Sequence, residues 1–426
     1  MSDASSGRRG FLKQTALGLS SVALAGLPAG SSLSSGSSQA AAPLRVDDWV
    51  SIQAQYHLSP SRTYLNTGGL GPSPEPVLSR FRDLTTELQT MSETGHRIIE
   101  ESRAPVASFF GASEEEIAFT RNATEGNAII ASGLRLKRGD EIIIDSHAHP
   151  GGAIPWLNQL NELGVVVRVF DPTGGSEGEI LTRIEDLVSD RTRVIQVSHV
   201  TAPTGILLPV DDIAKLAQDR GCWFHIDGAQ SAGMVPFDLH DIGCDSYATS
   251  GHKWLGAPHG TGVLYIKEER LADVVPTEVG AYSDAGFSLP DTFVLIPTAR
   301  RHESGTRNAP LVAAVRSACD FMSAIVMDRV RQRGLDLVAR LRDGLESIPA
   351  LEILTPEKDN LHGSILTFRP LERDFQEVNR RLGSEHKLRL RIVTEVDLNA
   401  IRVSLHVFNS EDEVDRVIEG VRAVLS

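Results

Sequence analysis

The chain has 426 residues, of which 41% are hydrophobic and 23% charged, a composition typical of a globular protein rather than a disordered one. Its length exceeds the roughly 250–300 residues that one hydrophobic core supports, so we expect a large domain and a smaller one. The net charge of -14 argues against a nucleic-acid partner, and three cysteines without metal-ligand spacing argue against a disulfide framework or a metal site.

Residues 1–42 have the order of an export signal. The basic start Arg8-Arg9 is followed by Phe11-Leu12-Lys13, a weakly apolar run from 16 to 29 and a small-residue end. The paired arginines resemble a twin-arginine signal, so we expect the Tat export machinery as a partner and a folded protein in a periplasmic or other extracytoplasmic compartment. The alternative is a disordered basic N-terminus. No later stretch reaches ~18 apolar residues, so no membrane span is expected in the mature chain.

Residues 43–309 alternate between helical and strand patterns, which predicts a large α/β domain. Helices are predicted at 74–110, 124–136 and 210–220, and strands at 117–119, 141–144, 165–170, 193–197, 223–226, 245–249 and 262–266. Apolar strands separated by helices indicate a mostly parallel sheet that is covered on both faces.

Residues 310–426 predict a smaller α+β domain. They contain a long helical pattern at 313–348, three strand-like runs at 364–368, 388–392 and 401–405, and a closing helix at 411–425.

Polar clusters follow the apolar runs of the large domain. They are Asn122-Ala123-Thr124, His147-Ala148-His149, Ser198-His199-Val200-Thr201, Asp227-Gly228-Ala229-Gln230 and Ser250-Gly251-His252-Lys253. Ligands of parallel sheets collect at the carboxyl ends of the strands, so these clusters are expected to converge on one rim.

The clusters supply what pyridoxal 5'-phosphate (PLP) requires of a protein. Lys253 can hold the aldehyde as a Schiff base if burial lowers the pKa of its amine. Asp227 can pair with the pyridinium nitrogen, although an N-cap for the following turn is an equal interpretation, and Gln230 can bind the ring hydroxyl.

The phosphate and the ring face have candidates as well. The backbone N–H groups of Ala123 and Thr124 open a helix and form an anion site, which Ser250 and His252 would complete; the alternative is an ordinary N-cap. His149 is expected to cover the ring and relay protons, with His147 as its rival.

Together these elements resemble class V aminotransferases. The resemblance covers about residues 60–420 and rests on Thr124-Glu125, His149, Asp227-x-x-Gln230, Ser250-x-His252-Lys253 and Glu303-Ser304-Gly305-Thr306-Arg307-Asn308, in that order. It implies a fold-type-I PLP-dependent transferase fold, with a mostly parallel seven-stranded sheet and a smaller α+β C-terminal domain. It also implies a homodimer in which Thr306 reaches the phosphate bound by the other chain.

Further residues resemble the isopenicillin N epimerase-like branch of that family. They are the runs Ser198–Gly205, His149–Gly152 and Asn399–Ser404. Ala202 stands where many relatives have an asparagine, so Gln230 or Thr201 must contact the ring hydroxyl. The stretch after Arg391 contains no cysteine, which disfavours a desulfurase that attacks substrate sulfur with a thiolate.

The predicted function is that of an enzyme on an amino-acid substrate. Arg391 and Arg402 are candidates to bind its carboxylate, with Arg391 preferred by resemblance and surface arginines as the alternative. We expect an external aldimine with the amino acid and loss of its α-proton to Lys253, leading to epimerase-like or aminotransferase-like chemistry. A PLP-dependent C–S lyase, a PLP-fold binding protein without turnover, and an α/β enzyme without PLP remain open.

Overall fold

The computed structural model describes residues 45–426, which belong to one compact unit. The predicted twin-arginine signal at 1–42 lies outside the described residues. The α-helices of the described part are α1 Trp49–Gln53, α2 Glu75–Met91, α3 His96–Phe109, α4 Ala123–Gly133, α5 Pro150–Leu163, α6 Glu177–Glu185, α7 Val210–Asp219, α8 Leu239–Ile242, α9 Ala309–Ile325, α10 Met327–Glu346, α11 Phe375–His386 and α12 Glu411–Leu425.

The strands of the same part form four sheets. They are β1 Thr63–Tyr64, β2 Ile117–Thr120, β3 Glu141–Asp145, β4 Val166–Phe170, β5 Thr192–Ser198, β6 Trp223–Asp227, β7 Ser246–Ser250, β8 Gly262–Ile266, β9 Asp284–Ser288, β10 Thr292–Leu295, β11 Leu351–Ile353, β12 Ile365–Pro370, β13 Leu388–Arg389, β14 Arg391–Val393 and β15 Ala400–Ser404.

The main sheet has seven strands in the order β2-β8-β7-β6-β5-β3-β4. Strands β3 to β7 are parallel to their neighbours in this group, and β8 runs antiparallel to both β7 and β2. The predicted mostly parallel seven-stranded sheet is therefore confirmed.

Both faces of this sheet are buried, as the apolar strand sequences require. Ile143 of β3 and Tyr247 of β7 belong to one hydrophobic cluster, whereas Ile142 and Ala248, one position away, belong to another. Since side chains alternate across a strand, two separate cores lie on the two faces.

A second, antiparallel sheet has the order β11-β12-β15-β14 and forms its own core with α10, α11 and α12. Leu65 from the N-terminal region is part of this core. Helix α9 instead packs against the core of the main sheet and against α2 and α3. The domain boundary predicted between 309 and 310 stays a prediction.

Two local expectations differ from the structure, and some elements were not predicted at all. The helical pattern at 313–348 is two helices, since Val326 between α9 and α10 has φ 73° and the helices are bent by 75°. The strand at 388–392 is divided at Leu390, so that β13 pairs with β1 and β14 with β15. Helix α5 and the hairpin β9–β10 were not predicted.

Within residues 45–426 no single helix is long and apolar enough to cross a membrane. Helices α9 and α10, which are bent relative to each other, meet the requirements of length and composition only when they are taken as a pair.

Candidate active site

A cavity of about 250 Å³ lies at the carboxyl ends of the parallel strands. The predicted site residues that line it are Ala123, Thr124, His149, Asp227, Gln230, Ser250, His252, Lys253, Arg391 and Arg402. The rim rule for the main sheet accounts for the large-domain residues from Ala123 to Lys253, whereas Arg391 and Arg402 come from β14 and β15 of the second sheet. Thr201 and Thr306 do not line this cavity.

Lys253 follows β7 and extends its amine into the cavity wall. Burial, with the charges of Arg402 and Arg391, lowers the pKa of Lys253 to about 8, although Asp227 opposes this shift. Among the described residues its Nζ has no hydrogen-bond or ion-pair partner. Roughly a tenth of the amine is therefore neutral near pH 7, a few hundredfold more than at the ordinary lysine pKa of 10.5, and the neutral form is the nucleophile.

Asp227 ends β6 and is held by a chain of hydrogen bonds. Its Oδ2 accepts from Asn127 Nδ2 at 2.9 Å, and its Oδ1 accepts from the Ala229 backbone N–H at 3.0 Å. Asn127 Oδ1 lies 2.8 Å from His225 Nε2, and burial lowers the pKa of His225 to about 3. A neutral His225 with its proton on Nε2 donates to Asn127, which fixes the amide orientation and with it the carboxylate.

The N-terminus of α4, predicted as an anion cradle, lines the cavity. The Ala123 N–H donates to Ser250 Oγ at 3.0 Å, and the Glu125 N–H donates to the N-cap residue Asn122 at 2.9 Å. Between them the Thr124 N–H has no partner in the described part of the chain, and Thr124 lines the cavity. A free N–H at a helix N-terminus suits a phosphate group.

The two histidines after β3 have different surroundings. His149 caps α5, where its Nδ1 accepts from the Gly151 N–H at 3.0 Å, and it lines the cavity. Burial and the Lys253 charge lower the pKa of His149, so the neutral ring carries its proton on Nε2. His147 is buried, with its Nδ1 3.0 Å from Thr204 Oγ1, and does not line the cavity. The geometry favours His149 over His147 as the ring cover.

Gln230 is better placed than Thr201 for a polar contact in the cavity. Gln230 donates to the Gly68 carbonyl at 2.9 Å and accepts from Trp254 Nε1 at 2.7 Å, which leaves one amide hydrogen unused. The Thr201 hydroxyl instead lies 2.9 Å from Thr204 Oγ1 and accepts from the Ile206 N–H. Ala202 lines the cavity and brings no polar side-chain group to it.

Arg391 and Arg402 face each other across β14 and β15. Arg402 is 1% exposed and donates to the Ala202 carbonyl at 2.8 Å and to Asn66 Oδ1 at 3.1 Å, whereas Arg391 donates to Glu395. Since Arg391 already has a carboxylate partner, these contacts favour Arg402 as the anchor of a substrate carboxylate. The preference for Arg391 from sequence resemblance stays a prediction.

Thr306 is exposed and lines two other surface depressions of its own chain. Its predicted contact with a phosphate of the other chain stays a prediction.

Sequence reasoning missed two parts of the cavity. Asn127 lies on the buried side of α4 among apolar residues. A polar amide at a buried helix position was the feature of the sequence from which its role could have been predicted. Gly68 and Gly69 come from the run Asn66-Thr67-Gly68-Gly69, far from every predicted strand. A Cβ at Gly68 would lie 2.9 Å from Gln230 Oε1 and 3.1 Å from Arg402 Nη2, so only glycine lets this backbone form a wall.

The residues present fit PLP. His252 Nδ1 is buried without a partner, and both His252 and Thr124 line the cavity, so His252 offers a second group to a phosphate. Asp227 lines the same cavity with an unused lone pair on each oxygen, and Lys253 supplies the unpaired amine. Acid, amine and anion cradle therefore share one cavity.

Gly151→Ala is expected to weaken cofactor binding. A Cβ at this position would lie 2.3 Å from Thr124 Oγ1, which must rotate out of the cradle. We expect a loss of about 1–3 kcal/mol, or roughly 5- to 150-fold in the dissociation constant of PLP, measured by absorbance titration of the cofactor-free protein. Gly178→Ala on α6 is the matched control, because a Cβ there meets nothing within 4 Å. Equal PLP affinity in both variants would contradict the assignment of the cradle.

Comparison with known proteins agrees with the predicted class V aminotransferase family. A family model described as Aminotransferase class-V matches residues 73–417. The chain is 32% identical over 390 residues to an isopenicillin N epimerase of Amycolatopsis lactamdurans, covering 88% of this chain and 98% of that one. An apo cysteine desulfurase from Thermococcus onnurineus NA1 superposes with a TM-score of 0.80 at 26% identity, covering 88% and 97%. The cystine C–S lyase C-DES, in complex with cysteine persulfide, superposes with a TM-score of 0.78 at 25% identity, covering 85% and 97%.

Proposed function

The chain belongs to the class V aminotransferase family and is a PLP-dependent enzyme, and we propose that it acts on the α-carbon of an amino acid in an epimerase-like or aminotransferase-like reaction. The observation that carries the proposal is the convergence of Lys253, Asp227 and the α4 N-terminus on one cavity. The similarity to isopenicillin N epimerase over nearly the whole chain supports it.

When bound, PLP supplies an electron-withdrawing ring that stabilises negative charge on the carbon next to the substrate amine. Asp227, oriented by Asn127 and the Ala229 N–H, places a fixed negative charge where a protonated ring nitrogen needs it. The Lys253 amine, with its lowered pKa, can take up a proton and return it. The neutral His149 ring offers its Nε2–H as a hydrogen-bond donor at the cavity wall.

Arg402 is proposed to orient the substrate through its carboxylate. Its two hydrogen-bonding partners are neutral, so its charge is not cancelled by them, and burial lowers its pKa to about 9 without removing the charge near neutral pH. A buried guanidinium with an uncompensated charge binds a carboxylate strongly.

The rate at which cofactor-free protein captures PLP is expected to rise with pH and to level off near pH 8. Only the neutral amine attacks the aldehyde, so the rate rises about tenfold per unit below the pKa of Lys253, which is about 8, and flattens above it. Stopped-flow absorbance between pH 6.5 and 10 measures this. A rise that continues to pH 10 without levelling off, as the ordinary lysine pKa of 10.5 would give, would contradict the lowered value.

A PLP-dependent C–S lyase is the second candidate, because of the structural likeness to C-DES. Cys222, Cys244 and Cys319 are all buried, burial raises the pKa of each thiol, and none lines the cavity. A mechanism in which a protein thiolate attacks substrate sulfur therefore has no nucleophile in this cavity, whereas elimination of a sulfur substituent needs none.

Amino-acid panels distinguish these reactions. The loaded enzyme is mixed with L- and D-amino acids and with cystine, in D₂O. Deuterium at the α-carbon with inversion identifies an epimerase, pyridoxamine phosphate with a keto acid an aminotransferase, and pyruvate with a persulfide a lyase. Absence of all products and of any absorbance change across the panel would overturn the proposed enzymatic function.

A homodimer is also proposed. Phe287, Leu289 and Phe293 on the hairpin β9–β10 are 71%, 84% and 58% exposed, which is an apolar patch that a second copy can bury. The exposed Thr306 agrees with a role in the other subunit's cradle. Light scattering is expected to give a dimer for the wild type and a monomer for a Phe287→Asp, Phe293→Asp variant; a monomeric wild type would overturn the proposal.

Export through the twin-arginine route is proposed from residues 1–42 alone. Cell fractionation is expected to find the wild type outside the cytoplasm and an Arg8→Lys, Arg9→Lys variant retained within it. Identical distribution of the two would contradict this route.

A further inference from the structure

The cavity wall holds two guanidinium groups that differ in their charge balance. Arg402 contacts only the Ala202 carbonyl and the Asn66 amide oxygen, and it forms no ion pair within residues 45–426. Arg391 donates from Nη2 to Glu395 Oε1 and forms an ion pair with it. One of the two positive charges is thus available to a ligand carboxylate, and the other is compensated from within the chain.

Glu395 is ionised in this arrangement. Burial raises its pKa, but the hydrogen bond and charge of Arg391 outweigh that effect, so that the pKa of Glu395 lies below its usual value. Its second oxygen accepts from the Thr394 N–H at 3.1 Å. Both carboxylate oxygens are therefore engaged, which holds the negative charge beside Arg391.

The field of Glu395 reaches the cavity. Burial lowers the pKa of both His149 and Arg402, and the charge of Glu395 opposes that shift in each. Both residues line the cavity. A ligand group near Arg391 would therefore experience the negative charge of Glu395 together with the positive charge of the guanidinium.

The backbone after Glu395 is strained in a way that fixes the position of this residue. Val396, Asp397 and Asn399 have φ of 44°, 57° and 47°, in the left-handed region that residues other than glycine seldom adopt. Such conformations are unfavourable and are found mostly where a loop serves a site. The short turn leads from β14 back into β15, between Arg391 and Arg402.

We propose that Glu395 is a specificity-determining residue that restricts the cavity to amino acids with a single carboxylate. Arg402 binds that carboxylate. A second carboxylate, as in a dicarboxylic amino acid, would have to displace Glu395 from Arg391 or lie against its negative charge. This inference rests on the proposed function of the same cavity.

Carboxylates that lack an amine test the inference without turnover. Succinate and butyrate have the same chain length and carry two carboxylates and one, respectively. Isothermal titration of the PLP-loaded wild type is expected to show succinate binding no more tightly than butyrate. In Glu395→Gln, succinate is expected to bind about five- to tenfold more tightly than to the wild type, with butyrate changed by less than about twofold.

Two further variants make the result decisive. Glu385→Gln removes a carboxylate from another i,i+4 arginine pair, that with Arg381 on α11, and is expected to bind both ligands as the wild type does. Glu395→Asp keeps the charge and is expected to keep the preference against succinate, which also tests the idea if the glutamine variant folds poorly. An unchanged succinate affinity in a folded, loaded Glu395→Gln variant overturns the inference. A wild type in which borohydride traps no cofactor on Lys253 overturns the proposed function instead.

Discussion

Replacing Lys253 with alanine is expected to abolish covalent cofactor binding and nearly all turnover. Lys253 is the amine on the cavity wall, and its lowered pKa makes it both nucleophile and proton acceptor. Loss of the proton-transfer group alone lowers kcat by about 10²–10⁴-fold. Borohydride reduction followed by peptide mass analysis is expected to label the wild type at Lys253 and to label nothing in Lys253→Ala.

The control for this variant is Lys215→Ala. Lys215 is an exposed lysine on α7 that pairs with Asp212, so its loss removes an amine without touching the cavity. It is expected to retain wild-type labelling and kcat. Covalent label at a different lysine in Lys253→Ala, with activity preserved, would contradict the assignment of Lys253 as the residue that holds the cofactor.

Asp227→Asn is expected to lower kcat by about 10²–10³-fold while the cofactor stays bound to Lys253. The amide has the shape of the carboxylate but lacks the negative charge that stabilises a protonated ring nitrogen, and loss of one such preorganised electrostatic contact costs about this much. Steady-state kinetics measure kcat, and borohydride trapping measures the bound cofactor. The expected result is a variant that is loaded but slow.

Asp245→Asn provides the matched comparison. Like Asp227, Asp245 accepts a backbone hydrogen bond in the main sheet, from the Phe224 N–H at 2.8 Å. However, Asp245 directly precedes β7 and therefore lies at the amino ends of the parallel strands, opposite the ends where the cavity lies. Its kcat is expected to stay within about twofold of the wild type. Equal losses in both variants would show that Asp227 acts through the stability of the sheet rather than through the cofactor.

The sequence alone was sufficient to predict the main sheet and most residues of the cavity, and the reason is physical. Strands such as Glu141–Asp145 are apolar on both faces because both faces are buried, and that pattern is readable without a structure. Polar residues directly after such strands must lie at one rim, so Asp227 and Lys253 could be placed together in advance.

The features that could not be predicted depend on backbone conformations that residue types do not specify. Val326 breaks a continuous helical pattern in a left-handed conformation, without a glycine or proline at the break. The turn that holds Glu395 against Arg391 likewise depends on left-handed Val396 and Asp397, so the pairing could not be predicted although Glu395 itself was visible in the sequence. Asn127 was missed because it acts through Asp227 and stands inside a helix.

The short segment from Thr63 to Gly71 determines when the cavity can be assembled during synthesis of the chain. Its β1 pairs with β13, Ser404 donates to Leu65 at 2.9 Å, and Gly71 donates to the His252 carbonyl at 2.8 Å. Residues near the start of the described chain thus require strands that the ribosome makes more than 300 residues later, as the separation of Leu65 and Ser404 shows. Such non-local contacts form late. The cavity that would hold the cofactor can therefore be complete only after nearly the whole chain has been synthesised.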